Sequence, residues 1–189
     1  MSLNLNTDSL TIPTPAAAAP DIGAYEFISE IVSTDASTIE FSNVFTTTYD
    51  IYKITATNVG GSSTNINLLA KLQVTNGFFS NYDYFLRVVP NNVSSFGYGG
   101  GNAFTYNQNN TGSDAQRCNF TVVIYNPRSS NAKHAMFEGC GYSGFSNIPV
   151  NRIHTMLQAT TTAEQTGIQF YPNTGTLTGT FRLYGLSKT

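Results

Sequence analysis

The chain has 189 residues, a formal net charge of −2 and only 11% charged residues, against ~25% in an average soluble domain. That length suits one β-domain whose core needs no metal or disulfide to hold it. There is no Lys/Arg cluster or basic stripe, so the electrostatic footprint of a nucleic-acid binder is missing.

Asn, Thr, Ser and Gly take the place of the missing charge. Their short polar side chains compete for the backbone, which makes them weak helix formers. Tyr and Phe supply all of the 13% aromatic content, and 40% of the residues are hydrophobic. Aromatic and β-branched enrichment favours strands, and the apolar content argues against disorder.

Residues 1–22 read as an extended arm preceding a domain at 23–189. Pro13, Pro15 and Pro20 surround the run Ala16–Ala19, and proline removes backbone donors and extends the residue before it. The arm carries Leu3, Leu5, Leu10 and Ile12 at near-alternating positions, more apolar than a disordered tail needs, so it is expected to dock on a neighbouring surface. It has neither a basic n-region nor a long apolar run and is not expected to be a secretory signal. No stretch of the chain reaches the ~18 apolar residues of a membrane helix.

From Tyr25 onward, short apolar runs alternate with turn clusters. Strands are expected at Tyr25–Ser33, Ser37–Phe41 and Tyr49–Val59, the last with Tyr52, Ile54 and Ala56 on one face. In Ile66–Thr75, residues Ile66, Leu68, Ala70, Leu72 and Val74 share a face, the period of a half-buried strand. Tyr82–Val89 ends at Pro90. Cys118–Asn126 places Phe120, Val122 and Ile124 together and stops at Pro127. Ala132–Cys140, Val150–Thr160, Ile168–Tyr171 and Leu177–Leu186 complete the set, and Ala159–Gln165 has room for one helical turn. Nine or ten short strands at turn spacing predict an all-β, antiparallel two-sheet sandwich, with a jelly-roll path favoured over βαβ units. Residues 91–116 are expected to form a long loop. In it Phe96, Tyr98, Phe104 and Tyr106 stand among Gly and Asn, the chemistry of rigid aromatic anchors on an adaptable backbone. These four are the candidate ligand or partner contacts.

Catalytic chemistry is sparse. His134 and His154 are the only histidines. With Glu138 they can form a metal constellation across a sheet, although ordinary polar strand positions explain them better. No nucleophile elbow or phosphate loop occurs. The carboxylates Asp50, Asp83, Asp114, Glu138 and Glu164 show no distinguishing context for a glycosidase pair. Cys118 and Cys140 read as two buried thiols, with a pairing between them as the alternative. The expectation is no enzyme, no cofactor and no metal.

Three segments carry a family likeness: Ser37-Thr38-Ile39-Glu40-Phe41-Ser42, Tyr49-Asp50-Ile51-Tyr52-Lys53-Ile54 and the closing Leu177-Thr178-Gly179-Thr180-Phe181-Arg182-Leu183-Tyr184-Gly185-Leu186. Together they resemble virion structural proteins of tailed bacteriophages, especially those of cyanobacteria and other aquatic bacteria. The resemblance spans residues 25–186 in outline. It implies a virion component, either a head decoration (cement) protein or part of a tail fibre, of a kind commonly trimeric and jelly-roll-like, with no catalytic residues to carry over. The partners it implies are the major capsid protein or another virion protein and further copies of this chain. The alternative is a tail-fibre module that binds a host surface glycan through the aromatic segment 91–116.

Overall fold

The computed structural model describes residues 23–62, 68–80, 82–90, 95–101, 104–106, 117–130, 133–143, 148–159 and 163–186; for 82–90, 95–101, 104–106, 133–143 and 148–159 it describes backbone course and pairing. Strands account for nearly all of this, and no helix occurs among the described residues. In chain order they are β1 (Tyr25–Ala36), β2 (Ile39–Phe41), β3 (Ile51–Gly61), β4 (Leu68–Val74), β5 (Gly77–Phe78), β6 (Tyr82–Pro90) and β7 (Ser95–Gly101). The rest are β8 (Phe104–Tyr106), β9 (Cys118–Tyr125), β10 (Lys133–Ser143), β11 (Ile148–Ala159), β12 (Gln165–Pro172) and β13 (Leu177–Leu186).

All pairings are antiparallel. The larger sheet has the order β1-β13-β3-β9-β10-β11-β6-β7; the smaller runs β2-β12-β4-β5, with β8 also pairing β4. The expected all-β architecture of two antiparallel sheets is therefore present.

Period-two patterning explains which faces meet. In β13, Leu177, Phe181 and Leu183 are buried and alternate with half-buried Thr178, Thr180, Arg182 and Tyr184. In β3, Tyr52, Ile54 and Ala56 are buried, and in β9 so are Phe120, Val122 and Ile124. The smaller sheet answers with Ile39, Phe41, Leu68, Ala70, Leu72, Ile168 and Phe170, and all of these form one cluster. At its centre the rings of Phe120, Phe170 and Phe181 lie 5.6–6.1 Å apart at tilted or edge-on angles, the arrangement that ring quadrupoles favour. Phe170 belongs to the smaller sheet and the other two to the larger, so this contact joins the sheets. Tyr52 buries its ring while its hydroxyl accepts from the Thr46 amide at 2.7 Å and reaches the Thr46 carbonyl at 3.2 Å, which satisfies its polar tip.

One expectation is corrected. Residues 91–116 are not one long loop, because 95–101 form β7 and 104–106 form β8. Phe96-Gly97-Tyr98-Gly99 alternates an aromatic with a glycine, a two-residue period that pairs with β6 despite the glycine content. The helical turn expected within Ala159–Gln165 falls on 160–162, which lie outside the described residues. Ala159 ends β11 and Gln165 starts β12, its amide donating to the Pro127 carbonyl at 2.9 Å.

Candidate interaction surface

The candidate residues of the central segment divide between the two sheets. Phe96 and Tyr98 stand on β7, the last strand of the larger sheet, opposite Arg87 and Phe85. Phe104 and Tyr106 stand on β8, opposite Ala70 and Leu68 of the smaller sheet. The backbone thus groups the four aromatics as two pairs. Leu3, Leu5, Leu10 and Ile12 lie outside the described residues. Strand register sets Glu138 directly opposite His154, with Thr121 on its other side and Arg87 beyond His154. His134 is opposite Tyr125 and Gln158. Glu164 pairs with Arg128 at 2.6 Å. Among the described residues no three His, Cys, Asp or Glu side chains cluster in a way that could hold a metal, and no helix is long and apolar enough to cross a membrane. Cys118 is buried, and Cys140 is opposite Asn119.

The most distinctive surface lies at the other end of the larger sheet. β1 has twelve residues and pairs with β13 on one side only; no strand pairs with its outer edge among the described residues. A free edge offers a row of backbone donors and acceptors to any extended segment, and proteins usually blunt it with lysine, proline or a short strand. β1 contains neither lysine nor proline. Two bulges interrupt it, between Phe27 and Ser29 and between Ser33 and Ala36, leaving Ser29–Ser33 in regular register.

The side chains on this strand face two ways. Ile28, Ile31 and Ala36 pack against the core. Phe27 and Val32 are 60% and 64% exposed. Single exposed apolar residues are ordinary, but these two stand on one edge strand, and covering the rest of each would gain up to about 1.5–3 kcal/mol. Between β1 and the neighbouring edge β2 lies a groove of about 530 Å³, lined by residues 31–36 and 38–40. Ser37 and Thr38 connect β1 to β2, the edge strands of the two sheets on this side.

Polar contacts hold the edge in place without capping it. The buried Ser33 hydroxyl donates to the Leu177 carbonyl at 2.8 Å and accepts from the Ala36 amide at 3.2 Å. Thr178 donates to the Thr34 carbonyl at 2.7 Å, and Thr176 donates to the Asp35 carboxylate. Glu30 pairs with Arg182 at 2.6 Å, so both charges lie over β13. Phe27 meets the Tyr184 ring edge-on at 5.9 Å, and Lys53 sits 5.1 Å over the Tyr25 ring. Burial, and secondarily the neighbouring Tyr125, raises the Tyr25 pKa above the ordinary phenol value. Tyr49 donates to Glu26 at 2.7 Å; that bond, followed by burial, raises the Tyr49 pKa.

The expected strand Tyr25–Ser33 coincides with most of β1, but its position at a sheet edge follows from long-range pairing, for which the sequence carries no local signal. Scans of the chain against protein-family models, curated proteins and solved structures gave no match.

Proposed function

We propose that the chain is a non-enzymatic structural protein of a phage particle. In this reading it is a head decoration protein, trimeric, that binds and stabilises the capsid through its arm and its subunit interfaces. The observation that carries the reading is the outer edge of β1, which no strand pairs among the described residues, with Phe27 and Val32 exposed on that strand. A protein whose work is assembly needs such edges, since symmetric oligomers are built by joining surface patches. The family likeness of the segments 37–42, 49–54 and 177–186 supports a virion component.

The reading includes a jelly-roll path. It is supported by the orders β1-β13-β3-β9 and β2-β12-β4-β5, in which the first four strands alternate between the sheets and the last strands return beside the first. That interleaving is what a double Greek key requires. The hairpins β10-β11 and β6-β7 then extend one sheet beyond β9.

The test is co-sedimentation of the purified full chain with particles of the virus that encodes it. The reading expects saturable pelleting at a fixed ratio to the major capsid protein and a higher disruption temperature for the decorated head. No pelleting with heads would refute it. A glycan-binding role, the second reading, is favoured by Phe96 and Tyr98 alternating with glycine along the terminal strand β7. It predicts sugar binding that is lost when Tyr98 is replaced by Ala.

A further inference from the structure

We infer that residues 3–12 of a second copy of this chain occupy the outer edge of β1, adding one antiparallel or parallel strand to the larger sheet. The inference goes beyond the role proposed above and stands whether or not the particle is a phage head.

Three observations carry it. The first is length. Leu3–Ile12 is a ten-residue run, and the edge it would cover has twelve residues, of which Ser29–Ser33 are in regular register and Ile31–Ala36 border the groove. Strand addition draws its affinity from backbone hydrogen bonds along an edge of this kind and its specificity from alternate side chains.

The second is chemistry on both faces. β1 presents Phe27 and Val32 outward and Ile31 and Ala36 inward beside the groove. A strand laid against it would therefore meet apolar side chains on both faces. Leu3 and Leu5 have one parity and Leu10 and Ile12 the other, so an extended backbone sends the two pairs to opposite faces. The polar residues Asn6-Thr7-Asp8-Ser9 separate the pairs.

The third is the connection, which decides between a second copy and the same chain. To return along its own β1, the arm would have to turn at Gly23, whose φ of 91° suits a turn. Counting back from that turn sets Pro13–Pro20 against Tyr25–Val32 and carries Leu3 past the end of β1 at Ala36. Three of those eight positions are proline and have no N–H to give to a ladder. Only Leu10 and Ile12 of the four apolar residues would reach the edge. A Pro/Ala stretch of this length, if extended at ~3.1 Å per residue, would span about 25 Å, enough to reach a neighbouring copy. On a neighbouring copy the whole run fits the strand.

The test compares three proteins by native mass spectrometry: the full chain, the chain lacking residues 1–12, and full-length Val32→Lys. Val32 is largely exposed, so lysine spares the core, and far-UV circular dichroism with a urea titration verifies that each variant folds. A lysine on an edge strand opposes pairing. The full chain is expected at multiples of 20.5 kDa, and both variants at single-chain mass. A synthetic peptide of residues 1–12 is expected to bind the truncated chain, and to bind a truncated chain carrying Val32→Lys about tenfold more weakly or not at all. A single-chain mass for the full protein, an oligomer that survives either change, a peptide that does not bind, or peptide binding indifferent to Val32→Lys would each overturn the inference.

Discussion

Replacing Phe170 tests whether the two sheets share one core. Phe170 is fully buried on β12, and its ring centroid lies 5.8 Å from Phe120 and 5.6 Å from Phe181 on the opposing sheet. Phe170→Ala removes a large buried ring and leaves a cavity between the sheets, which costs about 3–5 kcal/mol. Against a domain stability of about 5–15 kcal/mol, that loss lowers the urea midpoint steeply. Phe170→Leu keeps most of the volume and should cost less. The sharper assay is a double-mutant cycle of Phe170→Leu and Phe181→Leu, read from urea unfolding at fixed protein concentration. Rings in contact should show a coupling of about 0.5–1.5 kcal/mol beyond additivity. Strict additivity would refute direct ring packing across the sheets, and with it the shared core.

Three further outcomes follow from single residues. Gln165 is buried, and among the described residues its side-chain amide finds no hydrogen-bond partner. An unsatisfied buried polar group costs about 1–3 kcal/mol, so Gln165→Met should raise the urea midpoint, and a fall would show that the amide is hydrogen-bonded in solution. Gly185 leaves no room for a side chain, since a Cβ there would strike the Tyr49 ring. Gly185→Ala should therefore displace Tyr49, destabilising the domain and breaking the Tyr49–Glu26 hydrogen bond; an unchanged melting temperature would count against that packing. The Tyr49 pKa is raised above its ordinary value of 10.0, first by its bond to Glu26. A raised pKa means the neutral form is favoured on folding, so this contribution is complete below pH 10 and is lost as pH rises through the folded value. Tyr49→Phe should flatten the alkaline decline in stability, and an unaltered alkaline limb would show that the bond contributes nothing.

Most of the core was legible because its strands are half-buried on a two-residue period. The alternation of Tyr52, Ile54 and Ala56, of Leu68, Ala70 and Leu72, of Phe120, Val122 and Ile124, and of Phe181 and Leu183 reads directly as buried faces. Strands that rely on partners were harder. β7 is largely glycine and aromatic, and it is a strand because β6 pairs with it along seven positions. β5 has only two residues, Gly77 and Phe78, paired with β4 across the turn at Thr75-Asn76. The candidate surface was the least legible part. Phe27 and Val32 look like any strand residues until the pairing places β13 on one side of β1 and no described strand on the other. Residues 1–22, read as an arm from their prolines and leucines, lie outside the described residues.

The most direct measurement is amide hydrogen exchange across Ser29–Ser33, compared between the full chain and the chain lacking residues 1–12. If the arm of a neighbouring copy pairs with β1, the edge amides exchange slowly in the full chain, lose that protection on dilution to monomer, and exchange fast in the truncated chain. Equal exchange in the two proteins at every concentration would contradict assembly through this edge.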